Sequence, residues 1–308
     1  MFEVTIYWQW LNLLHGQTYV IGKRPLLLNL DETSVARAPN RQRGLVVHQK
    51  SPIHTLPARD RRHPVRRVKA PQRGAVTHVA LVADAAEIQN FLPQVFLVNQ
   101  HMVSVGACQS EPSSRIYIWR EPTAWSTSST MIRIIELLHD HLHHVFEEYQ
   151  PILILDCATP HLPASVLEAA TRLGFWVVFA PARITWLVQP LDVFVFRNYK
   201  RCLQKAHRRL ISGAPGGVVT NALWLSQLIK TASEFLSHRN WHDAFVQTGA
   251  TSSQTTLTKA LESFNGLPSP QLTASNLRAL FPRNRQVDLN SLFNPVLQAV
   301  QAHLRARQ

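Results

Sequence analysis

A chain of 308 residues can hold one large domain or two ordinary ones around a sizeable core. Hydrophobic residues at 45% and charged residues at 17% exclude a disordered chain. Lys and Arg outnumber Asp and Glu by 32 to 19, which favours a polyanionic partner: nucleic acid first, an acidic membrane surface second. Cys108, Cys157 and Cys202 are too widely spaced for a disulfide framework or a zinc pattern, and they fit a reducing compartment. No apolar stretch reaches the roughly 18 residues of a membrane span. With Glu3 early and no basic segment before an apolar run, the N-terminus does not read as a signal peptide.

In chain order, residues 1–23 are aromatic-rich, of ambiguous structure and too few for a separate domain. Residues 25–31 (PLLLNLD) read as a buried strand ending in a carboxylate. Residues 36–73 hold eleven Lys or Arg against the single acid Asp60, with five prolines. They read as an exposed basic insertion with a short strand at Gly44–His48. Two strands follow at 75–84 and 92–99, then a loop at 104–122 with a short strand, RIYIW. Met131, Ile134, Ile135, Leu138, Leu142, Val145 and Phe146 recur at helical spacing behind the capping candidates of 127–130. PILILD is a fourth core strand, a helix at 163–173 stops at Gly174, and FWVVFAP is a fifth strand. A long helix is expected from near Pro190 to about Ile211, then a hinge, GAPGG, at 213–217. Residues 218–308 show helical pattern broken by Gly and Pro. The order implies an α/β fold in which helices cover a mixed sheet.

Three acids stand where side chains project from a rigid frame. Asp31 closes LLLNLD, Asp156 closes ILILD, and Asp192 sits in QPLDVFVF at the head of the long helix. At about 100° per residue, Asp192 shares a face with Phe196, Tyr199, Leu203, Ala206 and Leu210, opposite Arg197, Lys200, Arg201, Lys205 and Arg208. Capping near the positive end of the helix dipole would explain Asp192. A turn hydrogen bond would explain Asp156. Three such acids on a basic chain point instead to hard oxygen ligands for Mg²⁺ or Mn²⁺.

The blocks LNLDETSV, LILDCATPHL and ITWLVQPLDVFVFRNYK resemble the three catalytic blocks of the pogo/Tigger branch of mariner-like DDE transposases. The resemblance spans roughly residues 24–205; its QPLD block is the specific one, and Trp125 resembles the family's tryptophan before its own long helix. Between Asp156 and Asp192 lie 35 residues, within the family's usual range. The resemblance implies an RNase H-like fold: a mixed five-stranded sheet flanked by helices, with a helical C-terminal extension. It implies that Asp31, Asp156 and Asp192 are catalytic and hold two Mg²⁺ or Mn²⁺ ions, with His161 and Gln189 supporting them. DNA is the implied partner and the nucleus the implied location; a homodimer stays open.

Two departures stand out. Cys157 occupies a position where the family usually has Asn, and a thiol cannot replace an amide's hydrogen bonds. The family carries helix-turn-helix domains before the first Asp, yet only 30 residues precede Asp31, so a fragment, a truncated gene model or a transposase remnant is expected. The domain reading is 1–23 as a segment of unclear role, 24–212 as the catalytic domain with its insertion, and 213–308 as a helical region. Arg61, Arg62, Arg66, Arg67 and Lys69 of the insertion, with Arg197, Lys200 and Arg201 of the long helix, are the candidate DNA contacts. Glu32 reads as structural, His161 as a brace for Asp156, a DNA contact or a turn residue, and the histidines 139–144 as a solvated face. Motifs of P-loop NTPases, nucleophile-elbow hydrolases and zincins do not occur.

Overall fold

The computed structural model describes residues 2–36, 75–108, 115–213, 219–251, 256–267, 271–285 and 287–307. The Leu-, Val- and Ile-rich runs become strands β1 (Arg24–Ala36), β2 (Ala75–Ala83), β3 (Gln94–Asn99), β4 (Ile116–Glu121), β5 (Tyr149–Leu155) and β6 (Trp176–Phe179). They form one sheet in the order β4-β3-β2-β1-β5-β6. β1, β2 and β3 pair antiparallel, whereas β5 runs parallel to β1, β6 to β5 and β4 to β3. A three-strand meander continued by parallel strands that are reached through helices is a mixed α/β arrangement.

The sheet has six strands where the sequence implies five. The extra one is β4, which takes up IYIW of the expected short strand RIYIW and pairs with the whole of β3, from Gln94↔Ile116 to Asn99↔Glu121. Its residues are half-buried or exposed, as suits an edge strand, so neither face carries an uninterrupted apolar signal. A second correction concerns β1, which does not stop at Asp31. Its pairing with β2 runs on to Ala36↔Ala75, while its parallel pairing with β5 ends at Asn29↔Ile154.

Helix Ser128–Leu142 buries Met131, Ile134, Ile135, Leu138 and Leu142, and Thr127 caps it by accepting from the Thr130 N–H. It packs against Ala164–Arg172. The N-terminal segment is a helix, Phe2–Val20, with Val4, Ile6, Tyr7, Trp8, Trp10, Leu11 and Leu14 all buried. It lies against β1, β6 and the last helix, Leu289–Ala306, so apolar residues are needed on several sides and no single stripe appears. Residues 37–74, with the strand expected at Gly44–His48 and the basic residues Arg61, Arg62, Arg66, Arg67 and Lys69, lie outside the described residues. So do residues 214–217 of the expected hinge.

Candidate metal centre

The register of the sheet builds the centre first. Asn29 of β1 faces Ile154 of β5, so two residues further on Asp31 stands beside Asp156. Neighbouring strands lie about 4.8 Å apart, and paired positions present side chains to the same face. Because β5 ends at Leu155 while β1 continues, Asp31 sits where β1 loses its parallel neighbour.

Asp192 arrives by a different route. Leu191–Val195 is a π-helical turn that leads into the α-helix Phe196–Gly213. π turns break the even progression of an α-helix and recur at functional sites. Here Asp192 is half-buried while Phe196, Tyr199 and Leu203 are buried in the core. The turn is fastened by Asn29, a buried residue that the sequence reading passed over. Its Oδ1 accepts from the Leu191 N–H at 2.9 Å, and its Nδ2 donates to Ile154 O at 3.1 Å. One amide on β1 thus joins the chain just before Asp192 to the chain just before Asp156. The only sequence signal for it is a polar residue inside an apolar run.

The electrostatics follow from this crowding. Burial, and then the negative charges of Asp156, Asp192 and Glu32, push the Asp31 carboxyl well above the ordinary carboxylate range. Its Oδ1 accepts from the Glu32 N–H at 2.7 Å. Burial raises Asp156 too, but hydrogen bonding to His161 and its charge outweigh that and hold the carboxyl below the usual range. His161 is fully buried, with Nδ1 2.6 Å from Asp156 Oδ1 and Nε2 3.1 Å from Glu32 Oε1. Burial alone would keep its ring neutral; the bonds to Asp156 and Glu32 reverse that and raise it well above the ordinary imidazole range. Glu32 is therefore an anchor for His161, and His161 a brace for Asp156. Asp156 Oδ1 also accepts from the Ala158 N–H at 2.9 Å.

Cys157 turns its thiol towards other elements. Sγ donates to Ala180 O at 3.4 Å and Leu280 O at 3.6 Å, fastening the end of β6 and a C-terminal segment. Burial pushes the thiol up to about 12, so it stays protonated and acts here as a hydrogen-bond donor. Gln189 is wholly buried, and neither atom of its amide has a hydrogen-bond partner among the described residues. Such an orphaned amide is costly unless water or a bound group satisfies it. Arg197, Lys200 and Arg201 are exposed along the helix Phe196–Gly213, away from its buried face.

Among the described residues, no group of three or more His, Cys, Asp or Glu side chains is already arranged as a metal cage. The donor set nevertheless suits a hard cation: crowded carboxylate oxygens, one carboxyl held high by burial and then by neighbouring negative charge, and an unsatisfied amide nearby in the chain.

No family model matches the chain, and no curated protein matches it. A solved structure similar to it is the Mos1 transposase paired-end complex with the left transposon end, at 12% identity and a TM-score of 0.38. The similarity covers 80% of this chain and 62% of that one, so the chain spans less than two thirds of that protein's length. At this distance, what the chain does has to be read from its own residues.

Proposed function

We propose that the protein is a DNA-binding, Mg²⁺- or Mn²⁺-dependent nuclease of the DDE type, derived from a transposase of the pogo/Tigger branch and working in the nucleus. The observation that carries this reading is the meeting of Asp31, Asp156 and the Asp192 turn around Asn29. Asp31, Asp156 and Asp192 would hold the metal, and Gln189 would satisfy its amide on the ligands around it. A pair of such ions, when bound, would activate a water or a 3′-hydroxyl and stabilise the leaving oxygen of a phosphodiester. The chain's own residues do the rest. Asn29 fixes the spacing of the acid-bearing segments, His161 holds Asp156 in one orientation, and the exposed Arg197, Lys200 and Arg201 attract the phosphate backbone.

A second reading, a DNA-binding remnant that no longer cuts, is favoured by one observation. Asp156 Oδ1 is already engaged by the buried His161 and by the Ala158 N–H. Nicking of supercoiled plasmid by the purified protein with Mn²⁺ separates the two. The wild type should nick without sequence choice, because phosphate contacts position a duplex but do not read it. Asp156→Asn should abolish nicking and leave DNA binding largely intact. Wild-type protein that binds DNA but nicks no better than Asp156→Asn would establish the remnant. Equal cutting by both would show that the site is wrongly assigned.

A further inference from the structure

The acid-bearing end of the sheet is bordered by a segment from far along the chain. The Ala182 N–H donates to Leu280 O at 2.9 Å, and Cys157 Sγ reaches the same carbonyl at 3.6 Å. The Phe281 ring packs edge-on against Phe179 of β6, with centroids 5.3 Å apart. Five residues after Leu280, Arg285 Nη2 donates to Thr159 Oγ1 at 3.0 Å. Thr159 belongs to the turn Thr159–His161, whose last residue braces Asp156. The C-terminal region therefore delivers an exposed guanidinium to the turn beside the second aspartate.

The chain after β6 supplies two more exposed groups. Arg183 is exposed and adopts a left-handed backbone, φ 76°, the sole non-glycine residue to do so among those described. Such strain costs on the order of 1–2 kcal/mol and persists only where the surroundings impose it. The Arg183 carbonyl accepts from the Trp186 indole N–H at 3.1 Å, which fixes the ring while 65% of the residue stays exposed. An indole whose polar atom is already satisfied offers only its faces to a partner.

Asp31, Asp156, Asp192 and Glu32 gather at this end of the sheet, so cationic side chains bordering them would favour the approach of a phosphodiester. We infer that Arg183, Trp186 and Arg285 form a DNA-contacting rim at the carboxyl ends of β5 and β6, its guanidinium groups taking phosphates and the Trp186 indole stacking on an unpaired base of a strand end. The inference rests on the DNA reading above and adds a structural class of substrate: a duplex with a single-stranded extension in preference to a blunt one. Stacking platforms beside cationic grooves bind unpaired strands without reading their sequence.

The test is fluorescence anisotropy of the full chain with labelled blunt and extended duplexes, in EDTA so that no strand is cut. Wild type should bind the extended duplex more tightly. Trp186→Ala should lose roughly tenfold on the extended duplex and stay within about twofold on the blunt one, while Trp186→Phe keeps most of the affinity. Arg285→Gln should weaken both duplexes and lower the slope of log affinity against log salt by about 0.9. All three side chains are exposed, and unchanged melting temperatures would confirm that the variants fold. Wild type binding with unaltered affinity and slope in both the Trp186→Ala and Arg285→Gln variants overturns the rim and leaves the DNA reading standing. Wild type binding neither duplex overturns both.

Discussion

Asn29 carries much of the proposed centre on a single amide. It is wholly buried, and it spends its acceptor on Leu191 and a donor on Ile154, segments that only the fold brings together. Asn29→Ala would leave the Leu191 N–H without its acceptor, at a cost of about 1–3 kcal/mol. Urea unfolding should register that loss. The rise in melting temperature on adding Mn²⁺ should also shrink, because the Asp192 turn is no longer tied to β1. A variant that is destabilised yet keeps the full Mn²⁺-dependent rise would show that Asn29 supports only the fold. His161 acts at the same scale. It keeps Asp156 below the ordinary carboxylate range even as burial pushes Asp31 above it, so neighbouring acids are set differently by their surroundings.

Among elements, β1 does most to define the centre, because its two edges end at different places. The β5 edge closes at Asn29, whereas the β2 edge continues to Ala36, and the gap between the two endpoints is where Asp31 stands. Further back, the strand is fastened by Asp84, just beyond β2, whose Oδ1 accepts from the Leu27 N–H at 2.9 Å. Burial raises the Asp84 carboxyl to about 7. The folded state therefore keeps a proton that the unfolded chain releases near pH 4. Stability from this group falls as pH rises from about 4 to about 7, and the penalty is complete above that. Asp84→Asn keeps an acceptor for Leu27 and removes the ionisation. It should stabilise the protein by about 1–3 kcal/mol at pH 8 and by little at pH 4, measured by denaturant unfolding at the two values. Equal effects at both would mean that the carboxyl is not held protonated.

At the scale of the whole molecule, the two ends of the chain close around the sheet. Trp8 of the first helix donates through Nε1 to Thr248 O at 3.3 Å, and the Trp10 ring meets Phe293 of the last helix at 5.8 Å. Gly249 has a φ of +71°, and a Cβ there would fall inside the Trp8 indole. Gly249→Ala therefore combines left-handed strain with a clash against a buried ring. A loss of about 2–4 kcal/mol is expected, seen as a lower urea midpoint at unchanged slope. A loss below about 1 kcal/mol would show that the N-terminal helix yields easily and contributes little to the core.

Local pattern alone determined a good deal here. Alternation and apolar runs marked the strands, and helical spacing marked Ser128–Leu142 with its Thr127 cap and the Phe196–Gly213 helix with its basic exposed side. The places of Asp156 and Asp192 along the chain were legible because one follows and the other opens an element, whereas Asp31 closes an apolar run inside a strand that continues past it. The tertiary structure decided the rest. β4 became a sheet strand because β3 offered an edge, and the N-terminal segment became a helix whose burial on several sides erases any stripe. Asn29 reaches Leu191 across 162 residues of sequence and Arg285 reaches Thr159 across 126. Such contacts leave no periodic trace, because what selects each residue is a partner that only the closed sheet brings within hydrogen-bonding distance.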